Sequence, residues 1–253
     1  VGAHLVRDRR TSLIAFTGSK AVGLDIVEAC GTVPAGQSWV KRVVCEMGGK
    51  NAIIVDTSAD LDEAVLGVRS SAFNFQGQKC SACSRVIVVG SAYQEFVKRL
   101  VPSVETLVIG DPRNPGTDVG PVIDEEAAAK IRSYIEIGKE EGTLAASVPV
   151  PEGLEATIGK PFVGPHVFTG IEQNHRLARE EIFGPVLAVM YADTFEQALE
   201  MANDSEYRLT GAVYSRKPSH LDLARERFRV GNLYLNRNST GALVGRQPFG
   251  GFG

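Results

Sequence analysis

Short apolar runs alternate with amphipathic stretches along the whole chain, and turn residues separate them. The stretch 61–75 has apolar residues at positions 61, 64, 65, 68 and 72, which is the spacing of one face of a helix. Compact apolar runs such as 52–55 and 186–191 have instead the length of buried strands. Strands that alternate with helices in this way predict an α/β fold.

The same pattern divides the rest of the chain. Further strands are predicted at 13–16, 39–45, 85–89, 212–214 and 232–236, and further helices at 20–29, 93–104, 124–142, 194–203 and 220–228. We expect Val22, Ile26 and Val27 on one face of the first of these helices, a surface position for helix 124–142, and a loop at 148–164. Gly48 and Gly49 interrupt the pattern after a strand, so we predict two domains, residues 1–47 and 48–253.

Composition and charge exclude several classes of protein. The chain has 253 residues, 43% hydrophobic and 23% charged, which is typical of a globular protein. Its 27 basic and 30 acidic residues give a net charge of −3, which disfavours a nucleic-acid-binding protein. No apolar run is long enough for a membrane span.

The chain ends and the cysteines bear on the compartment. The first ten residues lack the apolar core of a secretory signal, and the absence of an initiator Met leads us to expect that Val1 is a cut end. Four Cys in a chain of this length favour reduced thiols over a disulfide framework. We therefore expect a cytoplasmic protein, or one of the mitochondrial matrix if the source is eukaryotic.

A glycine-containing turn lies between the first predicted strand and helix. Gly18 suits a tight turn, and Ser19 can cap the helix or donate to a phosphate. The spacing of Gly18 and Gly23 is not the dinucleotide fingerprint, and no P-loop lysine follows. An ordinary strand-to-helix turn and a phosphate cradle are both compatible with these residues.

Cys80 and Cys83 lie in polar surroundings after the amphipathic helix. They are compatible with half of a zinc site, a redox pair, two ordinary buried thiols, or one nucleophile beside a structural thiol. No second Cys-x-x-Cys pair accompanies them, which disfavours zinc. Lys79 favours a thiolate at Cys80 in the last of these interpretations.

Glu46 ends an apolar strand and precedes Met47 and two glycines. A carboxylate with so little side-chain cover can face a cleft, and partial burial would raise its pKa toward that of a general base. The alternative is a solvated carboxylate at the end of a strand.

Five motifs in this chain together resemble those of the aldehyde dehydrogenase superfamily. They are FTGS at 16–19, EMGGK at 46–50, GQKC at 77–80, EEIFGP at 180–185 and PFGG at 248–251. The segments 80–85 and 238–249 are most similar to the 1-pyrroline-5-carboxylate (L-glutamate γ-semialdehyde) dehydrogenases. The chain resembles only the C-terminal half of such a protein.

The resemblance implies an aldehyde dehydrogenase-like catalytic domain, with a parallel-rich sheet flanked by helices, after the tail of a Rossmann-like, NAD-binding domain. It implies NAD-dependent oxidation of L-glutamate γ-semialdehyde to L-glutamate in proline catabolism, with NADP also open. Cys80 would be the nucleophile that forms a thiohemiacetal and then a thioester, and Glu46 the general base. The implied cofactor contacts are Gly18, Ser19, Val22, Met47, Gly48, Glu181 and Phe183, and the implied substrate contacts are Ser81, Gly241, Ala242 and Phe249. No metal is implied.

The resemblance also sets expectations for partners. The full-length protein would be a homo-oligomer or part of a bifunctional proline-utilisation enzyme, and it would take a small-molecule aldehyde. Since the family's first half holds most of the cofactor site, we expect this chain alone to be weakly active or inactive. Oxidation of another semialdehyde, such as succinate semialdehyde, and a non-catalytic role are the alternatives. We expect Lys79, Arg85 and Arg246 to be solvated, and Cys30, Cys45 and Cys83 to be structural thiols.

Overall fold

The computed structural model describes residues 1–243 and 245–252. The chain divides into two compact units, Val1–Gly48 and Gly49–Gly253. This division lies one residue after the boundary that the glycine pair predicts. The functional labels of the two domains stay predictions.

The N-terminal unit pairs two parallel strands with two helices. Its elements are α1 (Gly2–Arg7), β1 (Leu13–Thr17), α2 (Lys20–Gly31) and β2 (Arg42–Glu46). Strands β1 and β2 run side by side, with Thr17 opposite Glu46. A small core of Val6, Ile26 and Cys30 holds the unit together.

Helix α2 buries a different face from the one its apolar residues predict. Ile26 is buried together with Gly23 and Cys30, as the helical spacing of these three residues requires. Val22 and Val27 are 48% and 49% exposed, so the prediction of a shared face with Ile26 was wrong. Gly23 and Cys30 are small and add little to the apolar periodicity of the helix. The sequence therefore predicted Val22 and Val27 as the buried residues beside Ile26.

The C-terminal unit is built on a seven-stranded sheet. Its strands are β3 (Asn51–Val55), β4 (Cys83–Val89), β5 (Thr143–Ser147), β6 (His166–Thr169), β7 (Val186–Ala192), β8 (Thr210–Tyr214) and β9 (Asn232–Leu235). They lie in the order β5-β6-β7-β4-β3-β8-β9. All neighbours are parallel except β5 and β6. The predicted α/β class with a parallel-rich sheet is confirmed.

Helices cover both faces of this sheet. They are α3 (Leu61–Phe73), α4 (Ala92–Glu105), α5 (Glu125–Glu141), α6 (Leu154–Ile158), α7 (Arg176–Arg179), α8 (Phe195–Asn203) and α9 (Pro218–Arg227). Side chains of β3 alternate between two cores: Ile53 packs with α3 and α4, and Ile54 packs with α5 and α8. Because both faces are covered, every residue of β3 and of β8 is buried.

A buried carboxylate ties the carboxyl ends of β3 and β8 together. Asp56 is fully buried and accepts hydrogen bonds from Ser58 Oγ at 2.6 Å and Ser215 Oγ at 2.7 Å. His220 Nδ1 lies 3.1 Å from the same carboxylate. These groups lie at the opposite end of β3 from Asn51.

Several elements differ from the predicted ones. The helix predicted at 61–75 ends at Phe73 and continues as a 3₁₀ turn, Asn74–Gly77. The segment 148–164 contains the short helix α6. Helix α5 has the expected surface position, and one of its faces, with Ala128, Ile131 and Ile135, is buried. The sequence predicted no element at strands β5 and β6 or at helices α1 and α7. They are four to six residues long, too short to show a period.

Candidate active site

Cys80 lies in the short connection between the 3₁₀ turn and β4, at the amino end of the sheet. The Asn51 side chain fixes this connection, because its Nδ2 donates to the carbonyl oxygens of Cys80 at 2.7 Å and Ala82 at 2.9 Å. Asn51 Oδ1 in turn accepts from Thr210 N at 3.0 Å. A Cβ on Gly49 would lie 2.6 Å from the Cys80 carbonyl, so glycine is required there. The first residues of β3 and β8 thus hold the connection that carries the cysteine.

The turn before Cys80 is strained. Phe75 and Gln76 adopt left-handed φ angles of 55° and 59°, and Gly77 follows with 64°. Left-handed backbone costs about 1–3 kcal/mol at a non-glycine residue. Gln78 Oε1 accepts from Ile123 N at 3.1 Å and anchors the turn to the segment before α5. Such strain is typical of loops that present a reactive side chain.

The two neighbouring cysteines have different environments. Cys83 is 2% exposed, and burial raises the pKa of its thiol to about 12. Its Sγ donates to the Arg85 carbonyl at 3.3 Å. Cys80 is only half-buried. Cys83 is therefore an inert thiol at neutral pH, which leaves Cys80 as the candidate nucleophile.

The zinc interpretation finds no support in the geometry. Within 1–243 and 245–252, no group of three or more His, Cys, Asp or Glu side chains could hold a metal ion.

Ser81 and the loop after β9 lie beside the candidate nucleophile. The Ser81 carbonyl accepts from Thr210 Oγ1 at 3.4 Å and from Ser239 Oγ at 3.5 Å, and Ser239 N donates to Ser71 Oγ at 3.1 Å. The loop after β9 therefore begins in contact with Ser81, the residue that follows Cys80. Gly241 follows with φ of 86°.

The remaining predicted substrate contacts lie further along the same loop. Ala242 is half-buried. Phe249 is 41% exposed and follows Pro248, whose carbonyl accepts from Asn232 Nδ2 at 2.9 Å on β9.

Glu181 and Phe183 border the turn that carries Cys80. Glu181 Oε1 accepts from Gly49 N at 2.9 Å, and the two predicted cofactor residues line one narrow cleft with Lys79 and Cys83. Phe183 has a left-handed φ of 59° and a ring that is 40% exposed. Two distant motifs, EMGGK and EEIFGP, are thereby joined by a hydrogen bond.

Glu180 has a different role from its neighbour. Arg176 donates two hydrogen bonds of 2.9 Å to it, and Tyr134 Oη donates another at 2.5 Å. These hydrogen bonds hold the pKa of Glu180 below its usual range. Glu180 is an ion-pair partner of Arg176 and is 42% exposed at its side chain.

Arg85 corrects an expectation from the sequence, because it is buried and not solvated. It is 2% exposed and donates to the carbonyls of Lys50 at 3.0 and 3.1 Å, Met201 at 3.2 Å and Ala202 at 3.0 Å. The last carbonyls of α8 have no partner within the helix, and a cation at that end is favourable. The sequence pattern carries no signal of this contact.

Lys50 is the functional candidate that the sequence did not single out. Its side chain is 1% exposed, and Nζ has no hydrogen-bond partner among the residues that the structure describes. Burial, with the nearby charge of Arg85, lowers the pKa of the amine to about 7. The lysine of EMGGK was the one available signal.

The candidate residues of the N-terminal unit cluster where β1 and β2 end. Gly18 N donates to the Glu46 carbonyl at 3.0 Å, and Ser19 Oγ accepts from Val22 N at 3.4 Å as the cap of α2. A Cβ on Gly23 would lie 2.5 Å from Met47 Sδ. Glu46 and Gly48 are half-buried, and burial raises the pKa of the Glu46 carboxyl.

Comparison with known proteins identifies relatives over the whole chain. The aldehyde dehydrogenase family matches residues 1–253. A 1-pyrroline-5-carboxylate dehydrogenase of Geobacillus sp. (strain WCH70) is 51% identical over 253 residues, which are 100% of this chain and 48% of that protein. The chain thus spans about half the length of the curated relatives it matches. The assignment to their C-terminal half stays a prediction.

Solved structures give the same picture. A 1-pyrroline-5-carboxylate dehydrogenase from Thermus with bound NAD has a TM-score of 0.92 and 52% identity, covering 99% of this chain and 48% of that one. Proline utilization A (PutA) from Bdellovibrio bacteriovorus has a TM-score of 0.95 and 48% identity, covering 99% of this chain and 26% of that one. In the part of the chain that the structure describes, no helix has the length and apolarity to cross a membrane.

Proposed function

The chain belongs to the aldehyde dehydrogenase family, and from that premise we propose that it carries the nucleophile of an enzyme that oxidises L-glutamate γ-semialdehyde to L-glutamate with NAD. The observation that carries the proposal is the contrast between the two thiols. Cys80 is half-buried and follows a strained turn, whereas Cys83 is 2% exposed and burial raises the pKa of its thiol to about 12.

The proposed chemistry follows from a thiolate at Cys80. Its sulfur bonds to the aldehyde carbon, and the carbonyl oxygen becomes an oxyanion that nearby N–H groups stabilise. A dinucleotide held by residues such as Glu181 and Phe183 would supply the acceptor for the hydride that this carbon loses, and the oxidised carbon would stay on Cys80 as a thioester. Water then attacks the thioester, Glu46 takes the proton from the water, and the carboxylic acid leaves as the thiol is restored.

The residues present fit a dinucleotide. Ser19 and Gly18 stand at the start of α2, a 12-residue helix whose N-terminus favours a phosphate. Val22, Met47 and Gly48 belong to the same end of the N-terminal unit. Glu181 and Phe183 border the turn that carries Cys80, as a carboxylate for ribose hydroxyls and a ring for the nicotinamide. NADP stays open.

The proposed substrate contacts, or grip, are Ser81, which follows the nucleophile in the chain, and the loop after β9, whose Ser239 Oγ lies 3.5 Å from the Ser81 carbonyl. Ser81 and the backbone N–H groups of Gly241 and Ala242 offer neutral donors for the α-carboxylate of an amino-acid aldehyde. The left-handed φ of Gly241 turns the loop after Ser239. Phe249 would provide an aromatic wall.

The nucleophile can be tested on the chain as it stands. We expect iodoacetamide at pH 7 to alkylate Cys80 at least about tenfold faster than Cys83 or Cys30, because Cys83 and Cys30 are buried whereas Cys80 is half-buried. Peptide mass spectrometry of a time course gives the four rates, with Cys83→Ser as the matched control that keeps the fast site. Equal rates at Cys80 and Cys30 would remove the main support for the nucleophile.

The base is tested by an acyl transfer that needs no cofactor. p-Nitrophenyl acetate should acylate Cys80 in a burst of nitrophenolate, followed by slow turnover as water hydrolyses the thioester. Glu46→Gln should keep the burst and slow the turnover about 10²-fold or more. Turnover should also fall as the pH drops through the raised pKa of Glu46, because the base acts as a carboxylate. An unchanged turnover in the variant would contradict the assignment.

A bifunctional context is a second possibility for the full-length protein. The similarity to PutA supports it. The homo-oligomeric state, the cytoplasmic location and the weak activity of this chain alone stay predictions.

A further inference from the structure

The Asn51 side chain fixes the direction of two peptide groups beside the nucleophile. Its Nδ2 donates to the carbonyl oxygens of Cys80 at 2.7 Å and Ala82 at 2.9 Å, and its Oδ1 accepts from Thr210 N at 3.0 Å. Asn51 is 3% exposed, so both carbonyls point toward a buried side chain. Because the N–H of a trans peptide group points opposite to its carbonyl, the Ser81 N–H points away from Asn51.

The Ser81 N–H is a backbone donor without an acceptor. Within the part of the chain that the structure describes, no backbone or side-chain group accepts a hydrogen bond from it. The groups around it are satisfied, since the Ser81 carbonyl accepts from Thr210 Oγ1 at 3.4 Å and Ala82 N donates to the Lys79 carbonyl at 3.0 Å. Ser81 is 6% exposed, and buried backbone groups in folded proteins nearly always have a partner. A buried donor left open at this position therefore needs an explanation.

Covalent geometry keeps this donor near the reactive sulfur. Only the Cβ, Cα and carbonyl carbon of Cys80 separate its Sγ from the Ser81 nitrogen. Because Cys80 is half-buried and Asn51 is buried, a reagent approaches the sulfur from the side away from Asn51, which is the side of the N–H. A donor there stabilises the negative oxygen that forms when a thiolate adds to a carbonyl. The N–H of the residue after the nucleophile has this role in α/β-hydrolases.

We propose that the Ser81 N–H is an oxyanion donor of the Cys80 site, and that Asn51 is the positioning residue that aims it. The inference rests on the proposed role of Cys80 as the nucleophile. As the Cys80 thiolate bonds to the carbonyl carbon, the π electrons of the carbonyl move onto its oxygen, and the Ser81 N–H donates a hydrogen bond to that oxyanion. With p-nitrophenyl acetate the oxyanion then collapses, and the bond to nitrophenolate breaks with its electron pair.

The donor can be removed without changing a side chain. Cell-free nonsense suppression with the α-hydroxy acid of serine at position 81 replaces the N–H of Ser81 by an ester oxygen. The burst rate with p-nitrophenyl acetate should then fall about 10²-fold, the typical effect of losing one oxyanion donor. Alkylation of Cys80 by iodoacetamide should change by less than about threefold, because displacement at a CH₂ carbon forms no oxyanion. The same replacement at Ala82, whose N–H already donates to Lys79, is the matched control and should keep the burst rate.

The positioning role is tested by Asn51→Leu, which keeps the approximate size of the side chain and removes its hydrogen bonds. We expect the burst rate to fall about tenfold or more, and the iodoacetamide rate to change much less. Asn203→Leu is the matched control, because Asn203 also bridges two backbone groups, the Arg227 carbonyl at 2.8 Å and the Arg229 N–H at 2.7 Å. A merely structural Asn51 would lower the stability and change the two reactions alike.

The outcomes separate the inference from the proposed function. A parent without a burst contradicts the nucleophile itself, and the inference fails with it. A parent with a burst that does not slow when the Ser81 N–H is removed contradicts the inference and leaves the proposed function supported. An equal loss in the Ala82 ester would also overturn the donor assignment. A slow burst in the Ser81 ester with an unchanged burst in Asn51→Leu supports the donor and contradicts the role of Asn51.

Discussion

The burial of Lys50 predicts how the stability of the fold depends on pH. Because its folded pKa of about 7 lies below the 10.5 of an unperturbed lysine, the unfolded chain binds more protons between those pH values. The stability of the parent should therefore rise from pH 7 to pH 10. Lys50→Met should be more stable at pH 7 by about 3 to 5 kcal/mol and lack this rise. Urea unfolding at several pH values measures both effects, and a less stable Lys50→Met would contradict the burial cost.

The substrate grip gives a second prediction for single residues. Gly241 and Gly245 have φ angles of 86° and 79°, and a Cβ would meet only Arg237 Nη2 at 3.7 Å at the first and nothing at the second, so a valine strains the backbone similarly at either. Only Gly241 belongs to the proposed grip. In an enzyme assembled with its cofactor site, Gly241→Val should raise KM for glutamate semialdehyde about tenfold or more, and for a plain aliphatic aldehyde much less. Gly245→Val is the matched control, and an equal effect on both aldehydes would favour another semialdehyde as the substrate.

Asp56 predicts the response of the fold to acid. Burial alone would raise the pKa of this carboxyl, but hydrogen bonds from Ser58 and Ser215 and the neighbouring His220 lower it below its model-peptide value of 3.8. Its contribution to stability is therefore present above about pH 4 and is lost as the pH falls through the lowered pKa. Asp56→Asn should cost about 2 to 3 kcal/mol at pH 7 and flatten the acid limb of the stability curve. Thermal unfolding from pH 3 to pH 7 tests this. An unchanged acid limb in Asp56→Asn would show that the ionised Asp56 does not stabilise the fold.

At the scale of elements, the turn before Cys80 depends on one glycine. A Cβ on Gly77 would lie 2.3 Å from the Gly184 carbonyl oxygen, whereas a Cβ on Gly170, with a similar φ of 70°, would meet nothing. Gly170→Ala should cost about 1 kcal/mol from its backbone alone. Gly77→Ala should cost clearly more, and it should slow the alkylation of Cys80 by iodoacetamide. If the two variants lose equal stability and alkylate alike, the close approach does not position the turn.

Elements long enough to show an apolar periodicity could be predicted from the sequence, and the shorter elements could not. Helix α3 and strands β3 and β7 begin and end within a few residues of their predicted limits, because buried faces impose a period of 3.6 or 2. Strand β5 is an antiparallel edge strand in which only Ala146 is buried, so its pattern carries no alternation. Helix α7 is a single turn of four residues.

The candidate site shows the same limit in another form. The motifs of Cys80, Glu46 and Glu181 carried enough information to nominate them. The contacts of Lys50 and Arg85 depend on the ends of β3, β4 and α8 meeting in space, at separations of up to 117 residues along the chain. A single sequence with no spatial information places a lysine or an arginine in solvent by default.

At the scale of the whole molecule, each hydrophobic core belongs to one of the two units. The two large cores contain only residues after Gly49, and the small core contains only residues before Gly48. We therefore expect residues 49–253 expressed alone to fold cooperatively and to keep the fast alkylation of Cys80. Differential scanning calorimetry and the iodoacetamide time course test this, with the full 253-residue chain as the control. Aggregation of the shorter chain, or loss of the fast thiol, would show that its stability depends on residues 1–48.

The burial of Cys83 determines what an oxidant can do to this protein. Peroxide would convert the thiolate of Cys80 to a sulfenic acid, which is normally rescued when a nearby thiol closes a disulfide. Cys83 is only three positions away, but it is 2% exposed, and burial raises the pKa of its thiol to about 12. Repair at Cys80 must therefore come from outside, through a small thiol such as glutathione, and without it the sulfur advances to an irreversible sulfinic acid.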